Sequence, residues 1–93
     1  MFIPNSPCPI FKESSEIIPI WADFTKELTE NDGYITDSFV AVISGDCEIG
    51  NKYFINKFSV SYILNGTVES IIEHSIITSR GDKFIKKITL GIK

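Results

Sequence analysis

From residue 16 to the C-terminus, apolar and polar side chains alternate along the chain. A period of two is typical of β-strands, because successive side chains point to opposite faces of a sheet. In residues 16–24, Ile18, Ile20, Ala22 and Phe24 share one face. Pro19 lacks the N–H that a central strand must donate, so the pattern predicts an edge strand there.

The same alternation continues in four later stretches, residues 34–44, 57–64, 68–79 and 83–92. The second strand, residues 34–44, carries apolar residues on both sides, so we expect both of its faces to be covered. In residues 57–64, Phe58, Val60 and Tyr62 alternate with Ser59 and Ser61, which predicts a half-buried strand.

Turn-forming residues separate these stretches about every ten positions. Residues 25–28 suggest a short helical turn or loop, and residues 29–33 (TENDG) a turn. Further turns are predicted at Gly45-Asp46 and in the polar residues 48–52. Asn65-Gly66 predicts a hairpin, because both positions tolerate a positive φ.

Residues 1–15 differ from the rest of the chain, since they hold Pro4, Pro7 and Pro9. Proline removes a backbone donor and fixes φ, so an extended arm or an irregular edge is predicted here, followed by one domain over residues 16–93. Apolar residues on such an arm cover their own core or contact a partner. We assign the partner contacts to Phe2, Ile3, Ile10 and Phe11.

Short strands between regular turns, without a convincing amphipathic helix, predict an all-β fold, either a sandwich or a small barrel. The length of 93 residues corresponds to a single domain. With 43% hydrophobic residues, the chain can bury enough apolar surface to fold.

The net charge and the small number of histidines and cysteines argue against several classes of partner and ligand. The net charge is −3, which gives no basic surface for nucleic acid, so none is expected as a partner. One histidine and two cysteines cannot supply a tetrahedral zinc site, and we expect no metal and no cofactor. Cys8 and Cys47 allow two interpretations, free thiols in a reducing compartment or a disulfide, of which the first is favoured.

The beginning of the chain has neither a basic segment nor an apolar core of a signal peptide. Apolar runs all fall short of the ~20 residues that a membrane helix needs. These features predict a soluble protein made in a cytoplasm, without a membrane partner.

Two short motifs have a structural and a functional interpretation. Arg80-Gly81-Asp82 matches an integrin-binding tripeptide, but it joins two alternating stretches, where glycine suits a turn. Asn65-Gly66-Thr67 matches a glycosylation site and also stands where a turn is expected. The turn interpretation is preferred for both.

Candidate catalytic chemistry is sparse. His74 has no serine, cysteine or second carboxylate at a spacing that places it alongside, so a half-buried histidine in a sheet is expected. A redox or catalytic role for Cys8, Cys47 or His74 is the weakest hypothesis, and we predict that the protein is not an enzyme. Trp21, with Tyr34 and Tyr53, could instead form an aromatic patch that contacts protein or sugar.

The order of these features resembles that of a group of small phage virion proteins of about a hundred residues. Proteins of this group open with a proline-rich arm, as this chain does, and the resemblance covers roughly residues 11–92. It rests on a few short motifs along the chain: Asp23-Phe24 followed by Leu28, Asp32-Gly33 followed by Ile35, Gly66-Thr67, and Thr78-Ser79-Arg80-Gly81 before the last strand.

This resemblance implies an Ig-like antiparallel β-sandwich of about six or seven strands in a tail, fibre–tail adaptor or head–tail part. The implied function is structural: docking to other virion proteins, with a homo-oligomer or copies arranged around a ring. The implied location is the virion, after synthesis in a bacterial cytoplasm. Trp21 joins the arm residues as a predicted interface residue. The alternative is an Ig-like module that binds carbohydrate or a surface through Trp21 and the tyrosines.

Overall fold

The computed structural model describes residues 10–93, and nearly all of its regular structure is β-strand. Within these residues, seven strands and one short helix follow in this order: β1 (Ile10–Lys12), β2 (Ile18–Asp23), α1 (Thr25–Asn31), β3 (Ile35–Ser44), β4 (Glu48–Ile55), β5 (Phe58–Leu64), β6 (Ser70–Thr78) and β7 (Lys83–Ile92). The all-β prediction is confirmed.

The strands form two facing sheets. One has the order β1-β7-β6-β3 and the other the order β2-β5-β4. All strand pairs are antiparallel except β1 with β7, which run parallel. Strand β2 lies at the edge of the three-stranded sheet, so the edge position predicted from Pro19 is confirmed.

Side chains between the sheets form two apolar clusters. The first contains Ile20, Cys47, Ile63, Ile72 and Leu90. The second contains Ala22, Phe24, Leu28, Ile35 and Ile76, so helix α1 closes this end of the sandwich with Leu28. Ile88 packs against both clusters and joins them into one interior.

Several turn predictions are confirmed and others are wrong. Residues 79–82 connect the paired strands β6 and β7, so the RGD tripeptide lies in a hairpin turn. Residues 48–52 belong to strand β4 instead of a turn. The register with β5 shifts between Ile49 and Lys52, so Gly50 and Asn51 lie in a β-bulge. A β-bulge accommodates residues that a regular ladder would exclude, which explains why a turn was predicted.

Asn65-Gly66 does adopt positive φ values, 58° and 101°, but it does not form a hairpin. Strand β5 before it and strand β6 after it belong to different sheets, so the pair begins a connection between the layers. Asp46 anchors this connection by accepting hydrogen bonds from the Thr67 N–H at 2.8 Å and from the Thr67 hydroxyl.

The helical turn predicted for residues 25–28 is longer than expected, since α1 continues to Asn31. Asp32 then ends the helix in the left-handed conformation, with φ 56°. The Asp32 N–H donates to the Thr29 carbonyl at 3.3 Å, and the Gly33 N–H donates to the Leu28 carbonyl at 3.2 Å. The predicted turn is therefore confined to Asp32 and Gly33.

The expectation that β3 is covered on both faces is wrong. Val40 and Val42 pack against the interior, whereas Phe39 and Ile43 on the outer side are 47% and 46% exposed. β3 is the last strand of its sheet, and the Phe39 ring remains half exposed although the Lys52 ammonium lies 6.0 Å from its centroid.

Part of the predicted arm is integral to the sheet. Strand β1 pairs with Leu90–Ile92, and Ile10 packs against the first apolar cluster. Lys12 is fully buried, and its ammonium donates to the carbonyl oxygens of Glu13 at 2.6 Å and Ser14 at 3.2 Å. Phe2 and Ile3, also predicted on the arm, lie outside the described residues.

Candidate functional site

The two sheets present different chemistry on their outer faces. The three-stranded sheet carries an almost uncharged surface, here called the aromatic face: Trp21, Tyr53, Ile55, Phe58, Val60 and Tyr62. The outer side of the four-stranded sheet instead mixes charged residues, Asp37, Glu73, Lys83 and Lys87, with half-exposed apolar ones, Phe39, Ile43 and Ile85. The aromatic face is therefore the part of the described surface whose side chains best fit a binding site.

Strand β5 supplies the centre of the aromatic face because its apolar side points outward. Ser59 and Ser61 pair in register with Ala22 and Ile20, whose side chains are buried between the sheets. Since successive side chains alternate, Phe58, Val60 and Tyr62 must lie on the opposite, outer side. Phe58 and Tyr62 are partly exposed there, whereas Ser59 and Ser61 are fully buried.

Strands β2 and β4 complete the aromatic face on either side. Trp21 and Tyr53 both stand opposite Val60, one on each neighbouring strand. Trp21 is 50% exposed and Tyr53 36% exposed, while Val60 between them is fully buried. The Trp21 ring meets Phe58 edge-on, with centroids 5.5 Å apart. The result is a packed layer of rings that still exposes much of its area.

Polar groups on the aromatic face are few and lie at its margins. Burial, together with a hydrogen bond to Tyr62, raises the pKa of Tyr53, so the Tyr53 phenol stays neutral at physiological pH. Asp23 lies opposite Phe58 at one end, and a side-chain hydrogen bond with Thr25 lowers the pKa of its carboxyl. The charges bordering the aromatic face at its two ends, Asp23 and Glu48, are both acidic.

His74 lies between the sheets, with a serine hydroxyl on each ring nitrogen. Ser59 Oγ is 2.8 Å from Nδ1 and Ser61 Oγ is 3.0 Å from Nε2. Burial lowers the pKa of His74 to about 4, so the ring is neutral near pH 7. With no exposed surface and both nitrogens occupied, His74 is a structural bridge between the layers, more deeply buried than expected.

The other predicted site residues are dispersed. Phe11 is 55% exposed on β1, at the edge of the other sheet. Tyr34 is 67% exposed next to the hairpin of residues 79–82, where its backbone pairs with Ser79, away from Trp21 and Tyr53. Cys47 is a buried free thiol in the first apolar cluster, and Cys8 lies outside the described residues.

Residues 10–93 contain no pocket and no group of three or more residues able to hold a metal ion. In the same part of the chain, the single short helix lacks the length and apolar character to cross a membrane. Comparison with protein-family models, with curated proteins and with solved structures finds no match to this chain.

Proposed function

We propose that this protein is a non-enzymatic docking module that binds another protein through the aromatic face. The observation that carries the proposal is the outward orientation of β5, which leaves Trp21, Tyr53 and Ile55 partly exposed on an almost uncharged surface, whereas the other sheet intersperses its exposed apolar residues with charges. Half-exposed aromatic rings in a packed layer are characteristic of interface centres, because they bury large area at little entropic cost.

The size of the aromatic face fits a macromolecular partner. From the exposed fractions of its side chains, its open apolar area is roughly 300–400 Å². Protein interfaces are about 56–65% apolar, so an interface built around this apolar area would cover roughly 600 Å² of this protein. That area is close to the ~800 Å² that each partner buries in a complex of standard size. A flat surface of this size suits a protein better than a small ligand, which prefers a concave site.

The strand order supports an Ig-like assignment. An Ig domain of the constant type places its second, fifth and fourth strands in one sheet and its third, sixth and seventh strands in the other. Strands β2, β5 and β4 and strands β3, β6 and β7 divide in the same way here. The difference is β1, which joins β7 in the second sheet.

An Ig-like docking module agrees with the resemblance to small phage virion proteins. We therefore propose a structural component of a phage or prophage particle, in the tail, adaptor or head–tail region, where it binds other virion proteins. In this hypothesis Trp21 contacts the partner through the aromatic face, and Phe11 on the other sheet, together with Phe2 and Ile3, makes a separate partner contact.

The experiment is pairwise binding of the purified chain to each virion protein encoded beside its gene. Trp21→Ser should weaken binding at least tenfold, since a central interface aromatic contributes about 2 kcal/mol or more. Ile85→Ser is the matched control, because Ile85 is also 50% exposed but lies on the outer side of the four-stranded sheet. Equal affinities for both variants, or no binding to any neighbour, would contradict the proposal.

A second candidate function is carbohydrate binding, which the coplanar positions of Trp21, Tyr53 and Tyr62 on one sheet favour. Sugar rings stack on aromatic side chains, and the tyrosine hydroxyls could bond sugar hydroxyls. A glycan array with tryptophan fluorescence titration distinguishes the two functions, because a docking module should not respond to free sugars.

A further inference from the structure

The free edge of strand β4 is the second surface with the chemistry of a binding site. Seven of its eight residues are exposed, and only Ile49 is partly covered. Strand β4 ends the three-stranded sheet, and no strand among residues 10–93 pairs with this edge. An open edge offers unpaired N–H and C=O groups to another strand.

The hairpin between β4 and β5 determines which groups face outward. Ile55 stands opposite Phe58, and the loop between them has only two residues, Asn56 and Lys57. Residues that flank a two-residue loop form a hydrogen-bonded pair, so the backbone N–H and C=O of Ile55 bond to β5. Hydrogen-bonded pairs recur at every second residue, so the backbone groups of Tyr53 bond to β5 as well. Lys52 and Phe54 therefore direct their backbone N–H and C=O groups to the free edge.

Strand β1 offers an edge of only three residues, and the other edges carry features that oppose strand addition. Strand β2 contains Pro19, which cannot donate a hydrogen bond. Strand β3 has irregular register near both ends, and the Lys52 ammonium donates to the Ser38 carbonyl at 3.2 Å. The part of β7 that β1 leaves unpaired carries three lysines, and charged residues of this kind discourage pairing.

We propose that the free edge of β4 binds the same edge of a second copy of this chain, antiparallel about a twofold axis at Tyr53. This arrangement deepens the proposed docking role by adding self-association on a surface separate from the aromatic face. It joins two three-stranded sheets into one of six strands. The two aromatic faces then become a continuous surface.

Side-chain chemistry supports a copy of the chain as the partner. With Tyr53 opposite the partner's Tyr53, Lys52 stands opposite the partner's Phe54, and the reverse pair forms by symmetry. Each Lys52–Phe54 pair has outward backbone groups and makes two hydrogen bonds. The register pairs one tyrosine with another and opposes no like charges. The aliphatic part of Lys52 lies beside the partner's Phe54, while its ammonium keeps its contacts with the Ser38 carbonyl and the Phe39 ring.

The test is the association state of the full chain, measured by sedimentation equilibrium up to concentrations on the order of 1 mM, since a short edge contact gives weak affinity. The wild type should form a reversible dimer, and the amides of Lys52 and Phe54 should gain protection from hydrogen exchange as it forms. Phe54→Pro removes an outward N–H and should raise the dimer dissociation constant at least tenfold.

Charge variants keep the test decisive if Phe54→Pro is poorly folded. Phe54→Lys places lysine opposite the partner's Lys52 and should abolish the dimer. K52E/F54K then pairs glutamate with lysine at the same positions and should restore association. Trp21→Ser should associate like the wild type, so loss of virion-protein binding and loss of the dimer are separate results.

A wild type that stays monomeric throughout this range would overturn the proposal. A dimer without new protection at Lys52 and Phe54 would also overturn it and would implicate another surface. A third contrary result is unchanged association in both Phe54 variants.

Discussion

His74 shows how one buried polar residue determines the orientation of a strand. Its two ring nitrogens need partners once they leave water, because an unpaired buried polar group costs about 1–3 kcal/mol. Ser59 and Ser61, two positions apart on β5, supply them from the facing sheet. The serine side of β5 is therefore the inner side, and its apolar side faces solvent.

Acid should destabilise the fold through His74. Its pKa is about 4 in the folded protein, against 6.5 for an unperturbed histidine, so the unfolded chain binds the proton more readily. Stability is therefore constant above pH 6.5 and falls between pH 6.5 and 4, by roughly 3 kcal/mol in total. Urea unfolding at a series of pH values measures this slope.

The control for this slope is His74→Gln, which keeps a donor and an acceptor but cannot titrate. The variant should be less stable at pH 7 and should lose most of the slope between pH 6.5 and 4. Hydrogen bonds lower the pKa values of carboxylates such as Asp23 and Asp46. These groups therefore change the free energy of unfolding only below about pH 4. An unchanged slope in the variant would contradict the assigned role of His74.

Gly66 and Gly81 test backbone conformation and packing separately. Both have positive φ, 101° and 86°, but a Cβ at Gly66 would overlap Cys47 Sγ, whereas one at Gly81 would meet no atom within 4 Å. We expect Gly81→Ala to cost about 1 kcal/mol and Gly66→Ala about 3 kcal/mol or more. Chemical denaturation of both variants checks the order, and equal costs would refute the packing argument.

At the scale of elements, the sequence pattern located the strands but not their faces. The alternation in residues 57–64 predicts a half-buried strand, and β5 does occupy Phe58–Leu64. Alternation of apolar and polar residues shows that the two sides of a strand differ, but it does not show which side the fold buries. That choice depended on His74, which lies 13 residues from Ser61 along the chain.

Lys86 connects helix α1 to the sandwich. It points inward from β7, forms an ion pair with Glu27 at 3.3 Å, donates to the Asp23 carbonyl and lies 5.4 Å from the centroid of the Phe24 ring. Lys86→Met should lower the free energy of unfolding by about 1–2 kcal/mol, since the Lys86–Glu27 ion pair is only partly buried.

The matched control for this prediction is Lys83→Met on the same strand. Lys83 is exposed on the outer side, so its replacement should change stability by less than about 0.5 kcal/mol. Thermal unfolding of the two variants compares them directly. A larger effect at Lys83 would show that Lys86 does not hold the helix in place.

At the scale of the whole molecule, β1 makes the first described residues part of the sandwich. Deleting residues 1–12 should therefore cost about 2 kcal/mol more than deleting residues 1–9, because only the longer deletion exposes the surface under Ile10 and removes the buried Lys12. Denaturant unfolding of the two truncated chains measures the difference. Equal stability would mean that β1 contributes nothing to the sandwich.

The two outer surfaces also differ at this scale, and the difference could be predicted only in part. Trp21 and Tyr53 were recognisable as candidates from residue type, but Tyr34, of the same type, lies elsewhere on the molecule. Phe58 and Tyr62 were missed because an apolar alternating strand is expected to face the core. In the sequence, only the combination of a buried histidine that needs hydrogen-bond partners and two alternating serines indicates which side of β5 faces inward.

The sequence by itself determined the β-class, most strand positions, the edge location of β2 and the hairpin at residues 79–82. These follow from local causes: side-chain alternation, the missing proline N–H and residues that favour positive φ. Only the tertiary structure decided that Asn65-Gly66 crosses between sheets, that β1 joins β7 and that β5 turns its aromatic side to solvent. Those outcomes depend on contacts between distant residues, above all the need of a buried imidazole for two hydroxyl partners.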